Sequence, residues 1–98
     1  MVEFALNQVT ARALSFEAFL DLAASTGCVG VEPRNDLGRP LFDGASPDRA
    51  ARMARDRGVR ILGLNQVWPF DGPDAVGALV DLAATARACG ARCVSLIP

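Results

Sequence analysis

Three times along the chain an amphipathic run ends in a glycine and passes straight into a short, almost wholly apolar stretch. Ala23-Ala24-Ser25-Thr26-Gly27 leads into Cys28-Val29-Gly30-Val31-Glu32, Arg55-Asp56-Arg57-Gly58 leads into residues 59–65, and Arg87-Ala88-Cys89-Gly90 leads into residues 91–98. The three glycines stand 31 and 32 residues apart. That is the length of one strand plus the crossover helix that a parallel neighbour requires. Apolar positions at 16, 19, 20 and 23 form one stripe of a helix, which Ser15 can cap at its amino end. Ser46-Pro47 is a cap followed by the proline favoured at the first helical position, and Gly72-Pro73 repeats that arrangement ahead of Val76, Leu79, Val80, Ala83 and Ala86. Gly27, Gly58 and Gly90 supply left-handed helix stops.

The segments Phe4 to Gln8, Val29 to Glu32, Arg60 to Leu64 and Cys93 to Ile97 are short and mostly apolar, as in strands covered on both faces. The predicted order is strand, helix, strand, helix, strand, helix, strand, in one domain over residues 1–98, of α/β class with a parallel sheet. Four strands do not close a barrel. The alternatives are a small open sheet, or half of an eight-stranded (β/α)8 TIM barrel whose other half is absent from the chain or supplied by another copy. Asn7-Gln8-Val9 after the first strand recurs as Asn65-Gln66-Val67 after the third. Alternate barrel strands point equivalent residues into one layer, so this echo favours the barrel.

Composition narrows the function classes. With 51% hydrophobic and 21% charged residues the chain belongs with folded globular domains. A net charge of −1 carries no electrostatic footprint for nucleic acid. Neither a secretory leader nor a membrane span is legible, so a cytoplasmic location is expected, without nucleic-acid or membrane partners. Cys28 and Cys93 fall in apolar segments that read as buried strands, where a thiol behaves as a small hydrophobe, and no disulfide is expected. Cys89 and Cys93 are four apart, but Gly90 interrupts any shared helix and the chain has no histidine to complete a zinc site. There is no phosphate-cradling glycine loop, no triad and no Cys-x-x-Cys.

Parallel α/β folds place ligands at the carboxyl ends of their strands. The polar residues there are Asn7 and Gln8 after the first strand, Glu32, Arg34, Asn35 and Asp36 after the second, and Asn65 and Gln66 after the third, followed by Trp68 and Phe70. Carboxamides, a carboxylate and a guanidinium suit a hydroxyl-rich ligand, and an indole and a phenyl ring suit the apolar face of a sugar. Each has a plainer reading beside this one. Glu32 fits either a substrate contact or a pair with Arg34; Asn7 and Asn65 fit a site or the satisfaction of strand-end backbone. Trp68 and Phe70 fit a pocket wall or a loop anchor. Arg34 and Arg39 fit a grip on an anion or neutralisation by Asp36 and Asp43. Arg49, Arg52 and Arg55 follow helical steps, the pattern of a solvated outer face against a binding patch.

Phe4-Ala-Leu-Asn7, the run from Leu14 to Ala24, Gly27-Cys-Val-Gly-Val-Glu32-Pro-Arg-Asn35-Asp, and Arg57-Gly-Val-Arg-Ile-Leu-Gly-Leu-Asn65 together resemble the amino-terminal half of the xylose isomerase-like TIM barrels, the sugar phosphate isomerase and epimerase group that includes inosose dehydratases. The resemblance implies a divalent metal (Mn, Mg, Co or Zn) held by carboxylates and a histidine on later strands. It implies no metal ligand within these residues and leaves the catalytic residues unassigned. Many relatives place a histidine after the third or fourth strand, where this chain has Asn65, Gln66 and Pro98. The expectation is a metal-dependent isomerase, epimerase or dehydratase of a keto-sugar or keto-polyol, of which this chain is an incomplete half. The substrate-side contacts expected of it are Asn7, Glu32, Arg34, Asn35, Asn65, Gln66, Trp68 and Phe70. The alternative is a non-catalytic half-barrel that self-associates through its open sheet edges as a structural or small-molecule-binding module. An abasic-site endonuclease of the same superfamily is disfavoured by the charge and the missing histidine.

Overall fold

A computed structural model describes residues 1–98. Its elements run β1 (Ala5–Asn7), α1 (Phe16–Ser25), β2 (Gly30–Glu32), α2 (Pro47–Asp56), β3 (Arg60–Ile61), β4 (Gly63–Val67), α3 (Ala75–Cys89) and β5 (Cys93–Leu96), with a short 3-10 turn at Gln8–Ala11 and a turn at Leu41–Gly44 in which Phe42 and Asp43 take positive φ. Every strand pairing is parallel: β1 with β2, β2 with β3, and β4 with β5. The third predicted strand is broken in two at Leu62. Its N–H reaches back to the Val31 carbonyl (2.9 Å) and its carbonyl accepts the Arg92 N–H (3.0 Å), so one residue bridges both ladders. Beyond the break, Asn65 exchanges backbone bonds with the chain following β2 (3.0 Å to Pro33, 2.9 Å from Asn35). The strands thus lie side by side in chain order without reversal, the arrangement of a barrel wall rather than of a doubly wound sheet.

Local chemistry explains the first two helices as expected. Ser15 accepts the Ala18 N–H and Ser46 the Arg49 N–H, Pro47 opens α2, and Gly27, Gly58 and Gly90 take positive φ. Phe16, Phe19, Leu20 and Ala23 are all buried and join Val31, Ala50, Ala54, Val59, Ile61 and Leu64 in one core between helices and sheet. Arg57 ties α1 to α2, pairing with Glu17 (2.8 Å) and Asp21 (2.6 Å) while bonding the Met53 carbonyl.

The third helix departs from expectation. It begins at Ala75 after an Asp74 cap with no side-chain bond, because Gly72 and Ala75 are first used in two successive turns (Gly72 N–H to Pro69, Ala75 N–H to Gly72). It buries Ala75, Leu82, Ala86 and Cys89, leaving Val76 and Val80 exposed. An alanine-rich helix that is apolar nearly all round has no sharp stripe, so its neighbours α2, β4 and β5 choose the face. The thiols also differ: Cys89 is the buried one, with its pKa pushed up by desolvation, while Cys28 is half-buried and Cys93 is exposed on the outermost strand. All three are free. No helix is long and apolar enough to cross a membrane.

Candidate functional site

Parallel pairing brings the carboxyl ends of β1, β2 and β4 to one rim. Asn7 and Glu32 are register partners across β1 and β2, and Arg34 bridges to Asn65. Asn7 Nδ2 meets Asn65 Oδ1 at 3.4 Å across 58 residues of chain. The repeated Asn-Gln pair converges on one arginine. Gln8 Oε1 accepts the Arg34 backbone N–H (2.9 Å), Asn7 Oδ1 accepts from Nη1 (3.4 Å), and Gln66 Oε1 accepts from Nη2 (3.2 Å). Asn35 closes the ring, its side chain donating to the Gln66 carbonyl (3.1 Å) and accepting the Gln66 N–H (2.9 Å). Six of the eight predicted substrate-side residues therefore share one rim: Asn7, Glu32, Arg34, Asn35, Asn65 and Gln66.

Trp68 and Phe70 lie on the loop after β4, 67% and 48% exposed, so neither side chain is an interior loop anchor. Trp68 borders a separate shallow recess of about 160 Å³ with Pro69, Pro73 and Ala78. Gln8, one of the polar strand-end residues but outside the expected substrate-side set, is 2% exposed and holds the backbone from which Arg34 projects. The signal for it was the same Asn-Gln repeat.

Arg34 is an organiser with little capacity left for a ligand. Asp36 takes Nε and Nη2 in a bidentate pair, both at 2.7 Å, and the carboxamides take Nη1 and the second Nη2 position. Of the five N–H groups of a guanidinium, one on Nη1 remains. The hydrogen bond from Arg34, with its charge, holds the Asp36 carboxyl below the usual carboxylate range against the opposing effect of partial burial, and Asp36 correspondingly raises Arg34. A carboxylate with a depressed folded-state pKa adds stability that is fully present above its unfolded value, about 3.9, and is lost as pH falls through the folded value. The stability gap between wild type and Asp36→Asn is accordingly expected to be constant near neutrality and to close below about pH 4. Urea unfolding at a series of pH values measures it, and a gap that widened in acid would contradict the pairing.

Glu32 stands apart. It is half-buried and none of its oxygens has a hydrogen-bond or ion-pair partner, although its charge is felt by Arg34. It is the free carboxylate of the rim. Asp36 is engaged, histidine is absent, and no three His, Cys, Asp or Glu side chains gather anywhere in the chain. One free carboxylate does not make a divalent-metal site, so residues 1–98 do not fit the metal that the resemblance implies.

No protein-family model and no curated protein matches the chain. Among solved structures it is similar to a xylose isomerase domain-containing protein of Salmonella typhimurium LT2, at 30% identity and a TM-score of 0.89, over 98% of this chain and 36% of that one. It is also similar to a xylose isomerase-like TIM barrel/4-hydroxyphenylpyruvate dioxygenase fusion protein, at 19% identity and a TM-score of 0.69, over 96% of this chain and 16% of that one. The second likeness shows the fold alone. The chain spans about a third of the length of the first structure and less of the second. The sequential parallel strands, the helices between them and these two likenesses together make the chain a partial xylose isomerase-like TIM barrel.

Proposed function

We propose that this chain forms the substrate-side wall of a site for a neutral hydroxyl-rich molecule, a keto-sugar or keto-polyol, within an isomerase, epimerase or dehydratase. The fold supports a sugar isomerase and epimerase family. The observation that carries the finer reading is Glu32, an unpartnered acceptor on a rim whose other polar groups largely satisfy one another. Sugar hydroxyls are donors that an ionised carboxylate accepts strongly, whereas an anion would meet Glu32 unfavourably and find Arg34 already occupied. A divalent metal, if the reaction follows the family resemblance, takes its ligands from outside residues 1–98.

Saturation-transfer NMR against a panel of ketoses and cyclic polyketols tests this with the full-length protein. Glu32→Gln is expected to weaken binding by about ten- to a hundredfold, the worth of a hydrogen bond to a charged group, while leaving the unfolding midpoint nearly unchanged. Equal affinity of wild type and Glu32→Gln would sink the assignment. Chelation of the full-length protein is expected to abolish turnover while leaving contacts at Glu32 in place.

A second reading has its own observation. The outer edges of β1 and β5 carry no strand, and Phe4, Val76, Val80 and Leu96 are exposed near them or on the flank of α3. These are the features of a half-barrel that associates with a copy of itself. Light scattering separates the two: a monomer that binds a ketose supports the first reading, and a stable oligomer without ligand affinity supports the second.

A further inference from the structure

The chain's ion pairs belong to Arg34 and Arg39, each with one carboxylate, and to Arg57, with two. The opposite end of the strands is different. Arg52 and Arg55 on α2 and Arg87 in the last turn of α3 line a recess of about 350 Å³ with Asp48 and Gly90. It adjoins a second recess of about 170 Å³ shared by Arg55 and Arg60, and a third of about 190 Å³ between Arg60 and Arg92, with Gly90 common to all three. Five exposed arginines thus border a groove of three adjoining recesses against the single carboxylate of Asp48, and none of the five guanidiniums has a hydrogen-bond or ion-pair partner in the protein. Helix C-termini favour a cation, which accounts for Arg55 and Arg87. Arg52, in the body of α2, Arg60, opening β3, and Arg92, before β5, have no such reason to be there.

We propose that this groove binds a small, multiply charged phosphate-bearing anion, at a site separate from the strand-end rim and independent of the function proposed for it. Like charges held together without counterions repel, and a ligand carrying several negative charges relieves that repulsion. Guanidinium forks offer paired N–H groups in the geometry that phosphate oxygens accept. The groove's size selects a small molecule. A nucleic-acid strand would need cations over a whole face, which a chain of net charge −1 does not present. Helices α2 and α3 both belong to this chain, so the largest of the three recesses is built from its own residues.

Inorganic triphosphate is the probe, titrated into the full-length protein by calorimetry at about 0.15 M salt, where diffuse surface attraction is screened. Binding is expected to weaken by about tenfold or more in Arg52→Gln/Arg87→Gln and in Arg60→Gln/Arg92→Gln. Arg49→Gln, on the same helix but bordering a different recess beside Phe16 and Phe42, is expected to leave it unchanged. Circular dichroism confirms that each variant is folded. Saturable binding lost only in the groove variants establishes the site. No binding by wild type, or equal weakening by Arg49→Gln, overturns it, and tighter binding of a single-stranded oligonucleotide than of triphosphate overturns the small-molecule assignment.

Discussion

Phe16→Ala is expected to destabilise the protein by about 3–5 kcal/mol, the usual cost of emptying a buried aromatic site. Phe16 is 1% exposed and sits at the first turn of α1. Its ring lies 5.3 Å from Phe42 and 6.4 Å from Phe19 in tilted arrangements, so the substitution removes two aromatic contacts as well as apolar area. The neighbourhood has little freedom to collapse into the space. Phe42 and Asp43 both hold positive φ, and Asp43 is fixed twice over, accepting the Phe16 N–H at 2.7 Å and pairing with Arg39 at 2.7 Å. Folded domains have total stabilities of about 5–15 kcal/mol, so the variant is expected to be largely unfolded or to melt tens of degrees lower. Urea unfolding measures the loss. Phe16→Leu, which keeps most of the volume, is expected to lose roughly half as much or less, and equal losses for the two would mean that shape and aromatic contact are unimportant here.

Gly30→Ala is the second large effect, and it arises from crowding rather than a void. A Cβ at Gly30 would stand 2.5 Å from Leu62 Cγ and 2.7 Å from the Arg60 carbonyl oxygen, both across the β2–β3 pairing. The expected cost is about 1–3 kcal/mol, typical of forced overpacking. Gly30→Ala/Leu62→Ala relieves the side-chain clash but not the carbonyl one. The double variant is therefore expected to recover little, and full recovery would show that the backbone contact does not matter. Glu32 is two residues on, on the same face of β2, so a displaced strand carries the free carboxylate with it. Ligand affinity at the rim is expected to fall alongside stability in Gly30→Ala, whereas Phe16→Ala, measured in conditions where it remains folded, is expected to spare it.

Much of the architecture followed from the chain's own periodicity. Ser15, Ser46-Pro47 and the three glycines act through their nearest backbone neighbours, so their roles are local and legible in the sequence. Spacing of 31 and 32 residues between strand entries left a crossover helix as the only connection that fits, and with it parallel pairing and a common rim. The Asn-Gln repeat even pointed to the pair of carboxamides that meet at 3.4 Å.

Tertiary structure decided what depends on partners distant in sequence. At Leu62 the pairing passes from β2 on one side to β5 on the other, a handover set by neighbours distant in sequence that no local preference encodes. The sequence pointed to Val76, Leu79, Val80, Ala83 and Ala86 as the packed stripe of α3, whereas α2, β4 and β5 select Ala75, Leu82, Ala86 and Cys89, because small apolar residues around much of the helix leave no sharp stripe to fix the face. Likewise, the sequence by itself determined that Arg34 and Glu32 stand near each other at a strand end. Only the fold settled that Asp36, Asn7 and Gln66 would consume the arginine's donors and leave the glutamate free, because hydrogen-bond partners compete in space and their competition cannot be read along a chain.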